Sequence, residues 1–256
     1  MKIHQIDNSK IEGIDVRWNT FRGFTVLLHN PAEVSADGDF ARVWGDVYND
    51  PRLTFYAALA RACERLQIEE QFFRYSLCLV PPPTFHCTLA DGVHPLNIDQ
   101  FGRDVRPALQ RFADGLPDSL HTGLPEVIPA GTYDDPGGGK IRFRFRKLSL
   151  PDDGALLARL EPADNESRER HEQLLGERKG MDNALVALGK DPLGPWNAHI
   201  TLGYGAVKSL AAELRPSLPE WEAVIREETG SHVIEYSTYH LAGFVDMTTF
   251  YIRRSK

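Results

Sequence analysis

At 256 residues, 42% hydrophobic and 25% charged, the chain has the make-up of a globular protein and the length for one bilobal unit. A net charge of −7 speaks against a grip on long nucleic acid, whose phosphates are normally met by a basic face; a small nucleotide or an RNA end suits it better. The opening Met1-Lys2-Ile3-His4-Gln5 has no apolar signal core and no apolar run nears about 18 residues, so a cytoplasmic monomer without membrane association is expected.

Residues 22–29 read as a strand by their β-branched and aromatic content. Residues 38–50 are mixed and suggest a short helix with a loop. Pro51 to Gln67 reads as an amphipathic helix, with Leu53, Tyr56, Ala57, Ala60, Cys63 and Leu66 at three- and four-residue steps behind Asp50. A strand near residues 74–79 leads through Pro81-Pro82-Pro83 into another over 84–89. Asn97 is the expected cap of a helix running to Ala113. Residues 124–129 and 140–150 are expected to pair around Asp134-Asp135-Pro136-Gly137-Gly138-Gly139. This loop precedes Lys140 but lacks phosphate-loop spacing: Asp134 stands where the first Gly belongs and Ile141 where Ser or Thr belongs, so it reads as a hairpin turn.

Residues 152–188 read as helix-rich, with Glu166 to Glu172 as a solvated face, and 152–190 is the expected lobe connection. Helices over 206–215 and 219–228, parted by Pro216 and Pro219, precede strands at 232–242 and 247–252. Cys63, Cys78 and Cys87 sit in apolar contexts without metal-ligand spacing and read as reduced core residues. No linker divides the chain. Strands and helices alternate in both halves, which predicts an α+β fold with a duplicated lobe, one domain over residues 1–256.

Two short segments are nearly the same: His86-Cys87-Thr88-Leu89 and His199-Ile200-Thr201-Leu202. In a strand, positions i and i+2 share a face, so each step presents a His and a Thr together with apolar residues behind. A polar pair on an apolar strand is costly unless polar groups lie opposite. Chance alone gives roughly 0.4 His-x-Thr steps in a chain of this composition. Two, both followed by Leu and both in strand context, argue for a shared cleft with two imidazoles rather than for two unrelated structural histidines.

These motifs resemble those of the two-histidine (2H) phosphoesterase superfamily. That superfamily includes RNA 2′,3′-cyclic phosphodiesterases, 2′,5′-oligonucleotide phosphodiesterases and the enzyme that trims the U6 RNA end. Flanking residues add to the likeness: Pro81 to Val93 resembles a branch with a Pro-rich entry and an FHMT…DGV motif, Leu160 to Asp164 its LEPAD, and His199 to Tyr204 its HITLAY, with Gly203 for Ala and Cys87 for Met. The resemblance covers roughly residues 15–253. It implies a bilobal α+β fold of two antiparallel sheets flanked by helices around a central cleft, the first lobe carrying residues 86–88 and the second 199–201. By the same resemblance His86, Thr88, His199 and Thr201 are the catalytic set, with a metal-independent reaction and no cofactor.

Imidazole suits acid and base roles because its pKa of about 6.5 lies near working pH, and threonine hydroxyls can donate to non-bridging phosphate oxygens. The expected reaction is therefore hydrolysis of a cyclic (2′,3′-type) or 2′-linked phosphodiester of a nucleotide or RNA end. The alternative is a nucleotide- or RNA-end-binding module without turnover. Which histidine is acid and which is base is not legible at this stage. Further candidates for substrate binding are Arg142 and Arg144, which alternate with aromatics in Ile141 to Arg146, and Trp196 and Tyr204 beside the second motif. For the arginines a solvated outer face is the competing reading. Tyr204 alternates onto the Leu202 face, where core packing competes with base stacking. A His86/Asp91/His94 metal set lacks any counterpart near His199, and His29 and His240 read as structural.

Overall fold

The apolar patterning resolves into two antiparallel sheets with helices packed on them. The computed structural model describes residues 10–12, 17–37, 39–67, 77–137 and 139–253. The first half of the chain supplies β1 (Ile11–Glu12), β2 (Arg17–Trp18), β3 (Gly23–His29), β4 (Val34–Asp37), β5 (Phe40–Val43), α1 (Thr54–Gln67), β6 (Leu77–Leu79), β7 (Thr88–Asp91), α2 (Arg106–Asp114) and α3 (Ser119–Thr122). The second half supplies β8 (Ile141–Ser149), β9 (Ala155–Pro162), α4 (Asn165–Val186), β10 (His199–Gly205), α5 (Ala211–Leu214), α6 (Leu218–Thr229), β11 (Ile234–Tyr236), β12 (Thr238–Asp246) and β13 (Thr249–Arg253).

Of the two large sheets one has six strands, in the order β4-β5-β13-β12-β3-β7, and the other five, β11-β8-β9-β10-β6, while β1 and β2 pair by themselves. Their neighbours pair antiparallel throughout. Each sheet draws strands from both halves of the chain. The two sheets meet where Cys87 pairs with Ile200, and the amide of Leu28 in β3 donates to the carbonyl of Cys87 (2.9 Å). They meet again where β11 passes into β12, with Ser237 N–H donating to His29 O (2.9 Å).

Local chemistry explains the main elements. β3 is buried along most of its length because both its faces are covered, Phe24, Val26 and Leu28 by the main core and Leu27 by a second apolar cluster, and so it reads as a continuous apolar run. α1 buries its apolar stripe behind a short 3-10 turn capped by Asp50, whose carboxylate accepts from Arg52 N–H. Tyr56 of α1 meets Tyr236 of β11 hydroxyl to hydroxyl at 2.7 Å, both fully buried. α4 starts at Asp164, which accepts from Ser167 N–H, and buries Leu174, Met181 and Leu185 against β8 and β7. β8 alternates as expected, with Ile141, Phe143 and Phe145 inward and Arg142, Arg144 and Arg146 outward.

Several expectations need correction. Residues 40–43 form β5, hairpinned to β4, followed by turns rather than a helix. The first motif's strand begins at Thr88, because a 3-10 turn over Pro82–Thr84 occupies the preceding residues. The expected strand near 74–79 is seen as Leu77–Leu79; residues 74–76 lie outside the described residues.

The helix expected from Asn97 is a 3-10 turn (Ile98–Gln100) and then α2. Asn97 caps neither, since its side chain accepts from His94 N–H and donates to Gly92 O. Residues 124–129 form turns, as Pro125 and Pro129 lack the amide a ladder needs, so 134–139 is a connection into β8 and not a hairpin. Residues 155–162 are a strand. The stretch 152–190 thus holds β9 and then α4, and α4 leads from β9 to its neighbour β10 in the same sheet rather than from one sheet to the other. Pro219 lies in the first turn of α6, where its missing amide costs nothing.

Candidate active site

The Cys87–Ile200 pairing is antiparallel. Its register sets His86 across from Thr201 and Thr88 across from His199. Cys87 and Ile200 are fully buried, whereas the four His and Thr side chains are half-buried on the other side of the seam. All four line one cavity of about 530 Å³.

The two imidazoles are held alike. His86 Nδ1 lies 2.8 Å from Thr84 O, and His199 Nδ1 lies 2.8 Å from Asn197 O, each a carbonyl two residues back. A carbonyl can only accept, so each Nδ1 carries the proton and each neutral ring keeps its lone pair on Nε2. His86 packs against Phe250 (ring centroids 4.3 Å apart), the end of an aromatic wall that continues through Phe244 and Phe21 to His94. Burial pushes His86 down to about 4, a shift that the Thr84 carbonyl opposes and the facing His199 adds to. His199 is also lowered, first by burial and then by Arg159, against the raising influence of the Asn197 carbonyl, Asp91 and Asp153.

Both motif strands carry a register shift just after the threonine. β7 shifts against β3 at Leu89, and β10 shifts against β9 at Leu202. The extra residue reverses the alternation. Asp91 therefore shares the face of Thr88, and Tyr204 that of Thr201. Both line the cavity, and Tyr204 is hydrogen-bonded to the Thr201 side chain and donates to Met247 Sδ (3.6 Å). Strict alternation had put Tyr204 on the Leu202 face; the bulge moves it into the cleft, with Lys10 Nζ 4.3 Å from its ring centroid.

Trp196 also lines the cleft. Its Nε1–H donates to Thr88 O (2.9 Å) and its ring stacks on His171 at 5.0 Å, so it ties the approach to the second motif to the strand of the first. Arg142 and Arg144 do not reach the cavity. They stand on the outward face of β8, paired with Asp164 and Glu161 at 2.8 Å each, their side chains 46% and 52% exposed.

The cationic groups at the cleft are instead Lys10, Arg159 and Arg178. Arg178 of α4 donates to Leu89 O and Gly194 O. Arg159 pairs across β9–β10 with His199 itself. The only sequence cue to it was a single charge inside the apolar run Ala155 to Leu160.

Among the described residues no three His, Cys, Asp or Glu side chains gather as a metal-holding group, the His86/Asp91/His94 set included. Nor is any described helix long and apolar enough to cross a membrane. His29 and His240 contact each other edge to face at 4.6 Å away from the cleft. The glycine-rich connection is tethered by Asp135, which accepts from Gly137 N–H and Tyr239 N–H, and by Arg170, which donates to Gly139 O.

No family model matches the chain, and no curated protein matches it. Among solved structures it is similar to a conserved protein of unknown function, ATU0111, from Agrobacterium tumefaciens. The TM-score is 0.53 at 16% identity over 94% of this chain and 88% of that one, a likeness of fold. Two structures of Usb1 from Kluyveromyces marxianus, one with uridine monophosphate, align over 92% of this chain and 98% of theirs. Their TM-score of 0.37, at 9% and 11% identity, carries no inference about this site.

Proposed function

We propose that the protein is a metal-independent phosphodiesterase that hydrolyses a cyclic (2′,3′-type) or 2′-linked phosphodiester of a nucleotide or RNA end. The observation that supports it most is the matched pair of imidazoles: each has Nδ1–H on a backbone carbonyl, leaving Nε2 to the shared cavity, and each faces the other motif's threonine. Base and acid both act through Nε2. One ring takes a proton from water as the new P–O bond forms; the other gives its Nε2 proton to the departing oxygen as the old P–O bond breaks. His86, against Phe250 with no carboxylate acting on it, is suited to stay neutral as the base. Burial and Arg159 lower His199 too, but Asp91 and Asp153 offset part of that lowering and have no counterpart at His86, which suits His199 better than His86 as the acid. Thr88 and Thr201 donate to the non-bridging oxygens, where charge grows in the transition state.

The test is turnover of 2′,3′-cyclic nucleotides, 2′,5′-linked oligoadenylate and cyclic dinucleotides in excess EDTA, with a His86→Ala/His199→Ala double variant alongside. EDTA-resistant product that disappears in the variant supports the reading. Turnover abolished by EDTA, or retained without both histidines, overturns it.

A further inference from the structure

We propose that Arg159 is the phosphate-gripping cation of this cleft, seating an anionic phosphoryl group on the His199 side. The proposal deepens the phosphodiesterase reading and rests on it for the identity of the anion. β9 presents Arg159 directly across from His199, and Leu157 and Ala155 from the same face line the cavity with it. The guanidinium is held by protein at two of its nitrogens: Nε–H donates to Ser149 Oγ (2.7 Å) and Nη1–H to Asn197 O (3.2 Å). That same carbonyl holds His199 Nδ1. Arg159 Nη1 lies 3.4 Å from His199 Nδ1. Since Nδ1 already carries a proton, this contact sets two donors side by side, with no hydrogen bond between them.

Among the described residues Arg159 has no ion pair within 4.0 Å, unlike Arg142 and Arg144. The two N–H donors of Nη2 and the remaining one of Nη1 are thus left to whatever occupies the cavity, and a planar guanidinium held in this way can offer them to phosphate oxygens. Asp153, the carboxylate that acts on it, accepts from Ala155 N–H. The other charged and titratable groups that face this end of the cleft are His199, His86, Asp91 and Lys10. The first motif has no such cation among the described residues: Thr88 pairs with Leu27 of β3 as Thr201 pairs with Leu157 of β9, and two residues further along β3, where β9 carries Arg159, stands His29, which does not line the cavity. The cleft is therefore doubled in its histidines and threonines but single in this cation.

The test uses inorganic phosphate as the probe, followed through the His199 imidazole resonances, in the parent and in Arg159→Ala, Arg159→Lys and Arg144→Ala. Expected are perturbation of His199 by phosphate in the parent, binding weakened by about 10-fold or more in Arg159→Ala, partial recovery in Arg159→Lys, and no change in Arg144→Ala. The His199 titration midpoint should also rise in Arg159→Ala, because a neighbouring positive charge is gone, a readout that a merely structural arginine would not move. A folded Arg159→Ala protein with phosphate affinity within about twofold of the parent overturns the proposal, as does a parent whose His199 ignores phosphate. Phosphate binding needs no turnover. Loss of binding in Arg159→Ala beside a parent that hydrolyses none of the phosphodiesters would keep the arginine's role and sink the reaction, and the converse pattern would sink only the arginine.

Discussion

Glu33 is a fully buried carboxyl beneath the first motif, and replacing it with glutamine should change how stability depends on pH. Its Oε2 receives a long bond from Asn30 N–H (3.4 Å), Tyr56 is its side-chain partner, and Oε1 has no hydrogen-bond partner among the described residues. Burial raises it to about 8, against the lowering influence of Tyr56 and of the Asn30 amide. The folded protein thus holds a proton that the unfolded chain releases near pH 4.5. For a carboxyl raised in this way, stability is greatest below the unfolded pKa and is lost as pH climbs through the folded one. At about 1.4 kcal/mol per unit, the loss between pH 5 and pH 8 comes to about 3–4 kcal/mol.

His29 and His86, both lowered to about 4, act in the opposite sense below pH 6.5, so the parent's curve alone mixes these effects. The difference between Glu33→Gln and the parent isolates Glu33. Urea unfolding at several pH values should show the variant gaining that amount on the parent across the window, on top of a constant offset. A difference that stays flat from pH 5 to pH 8 would refute the reasoning.

With His86 as base and His199 as acid, kcat/KM should be bell-shaped in pH. Its acidic limb lies near 4, where His86 gains its proton, and its alkaline limb below 6.5, where His199 loses its own; a plateau through neutral pH would count against these roles. Single His86→Ala and His199→Ala variants should each lose about 10²–10⁴-fold in kcat with unchanged circular dichroism, and full activity in either would exclude that ring from the chemistry. Gly203→Ala should destabilise the fold by about 1–3 kcal/mol, read as a lowered urea midpoint. The new Cβ would lie 2.6 Å from Cys78 O and 3.0 Å from Leu79 Cα, where β10 meets β6, and an unchanged midpoint would mean that the strands can separate there at little cost.

The two sheets and the four motif residues were legible because their signals are local: a repeated tetrapeptide, and apolar runs with strand periodicity. β8 was equally plain, each arginine preceded by an apolar or aromatic neighbour. What alternation could not tell is which way a face looks, and the Arg142 and Arg144 side of β8 turns outward toward Asp164 and Glu161. β9 was misread because Leu156, Ala158 and Leu160 are buried on one face while Ala155 and Leu157 are buried on the other, at the cleft; a strand with both faces covered loses its alternation, and its apolar run resembles that of a buried helix. Tyr204 came out on the wrong side because a bulge is a mismatch between two strands, and nothing in either strand alone announces it. Arg159 stayed hidden for a related reason, since its neighbour His199 is set by a pairing partner 40 residues away.

The seam at Cys87 and Ile200 has a consequence for how such a protein can diverge. The spacing of the two histidines follows from main-chain pairing, in which facing strands stand about 4.5–5.5 Å apart whatever their side chains. Repacking of the core behind Cys87 and Ile200 therefore leaves the placement of the two imidazoles largely alone. Substitutions can accumulate through most of the interior while the cleft keeps its dimensions, in keeping with a shared fold at 16% identity in the Agrobacterium protein. Gly203, where β10 runs on past the seam against the β6 backbone, has no such latitude.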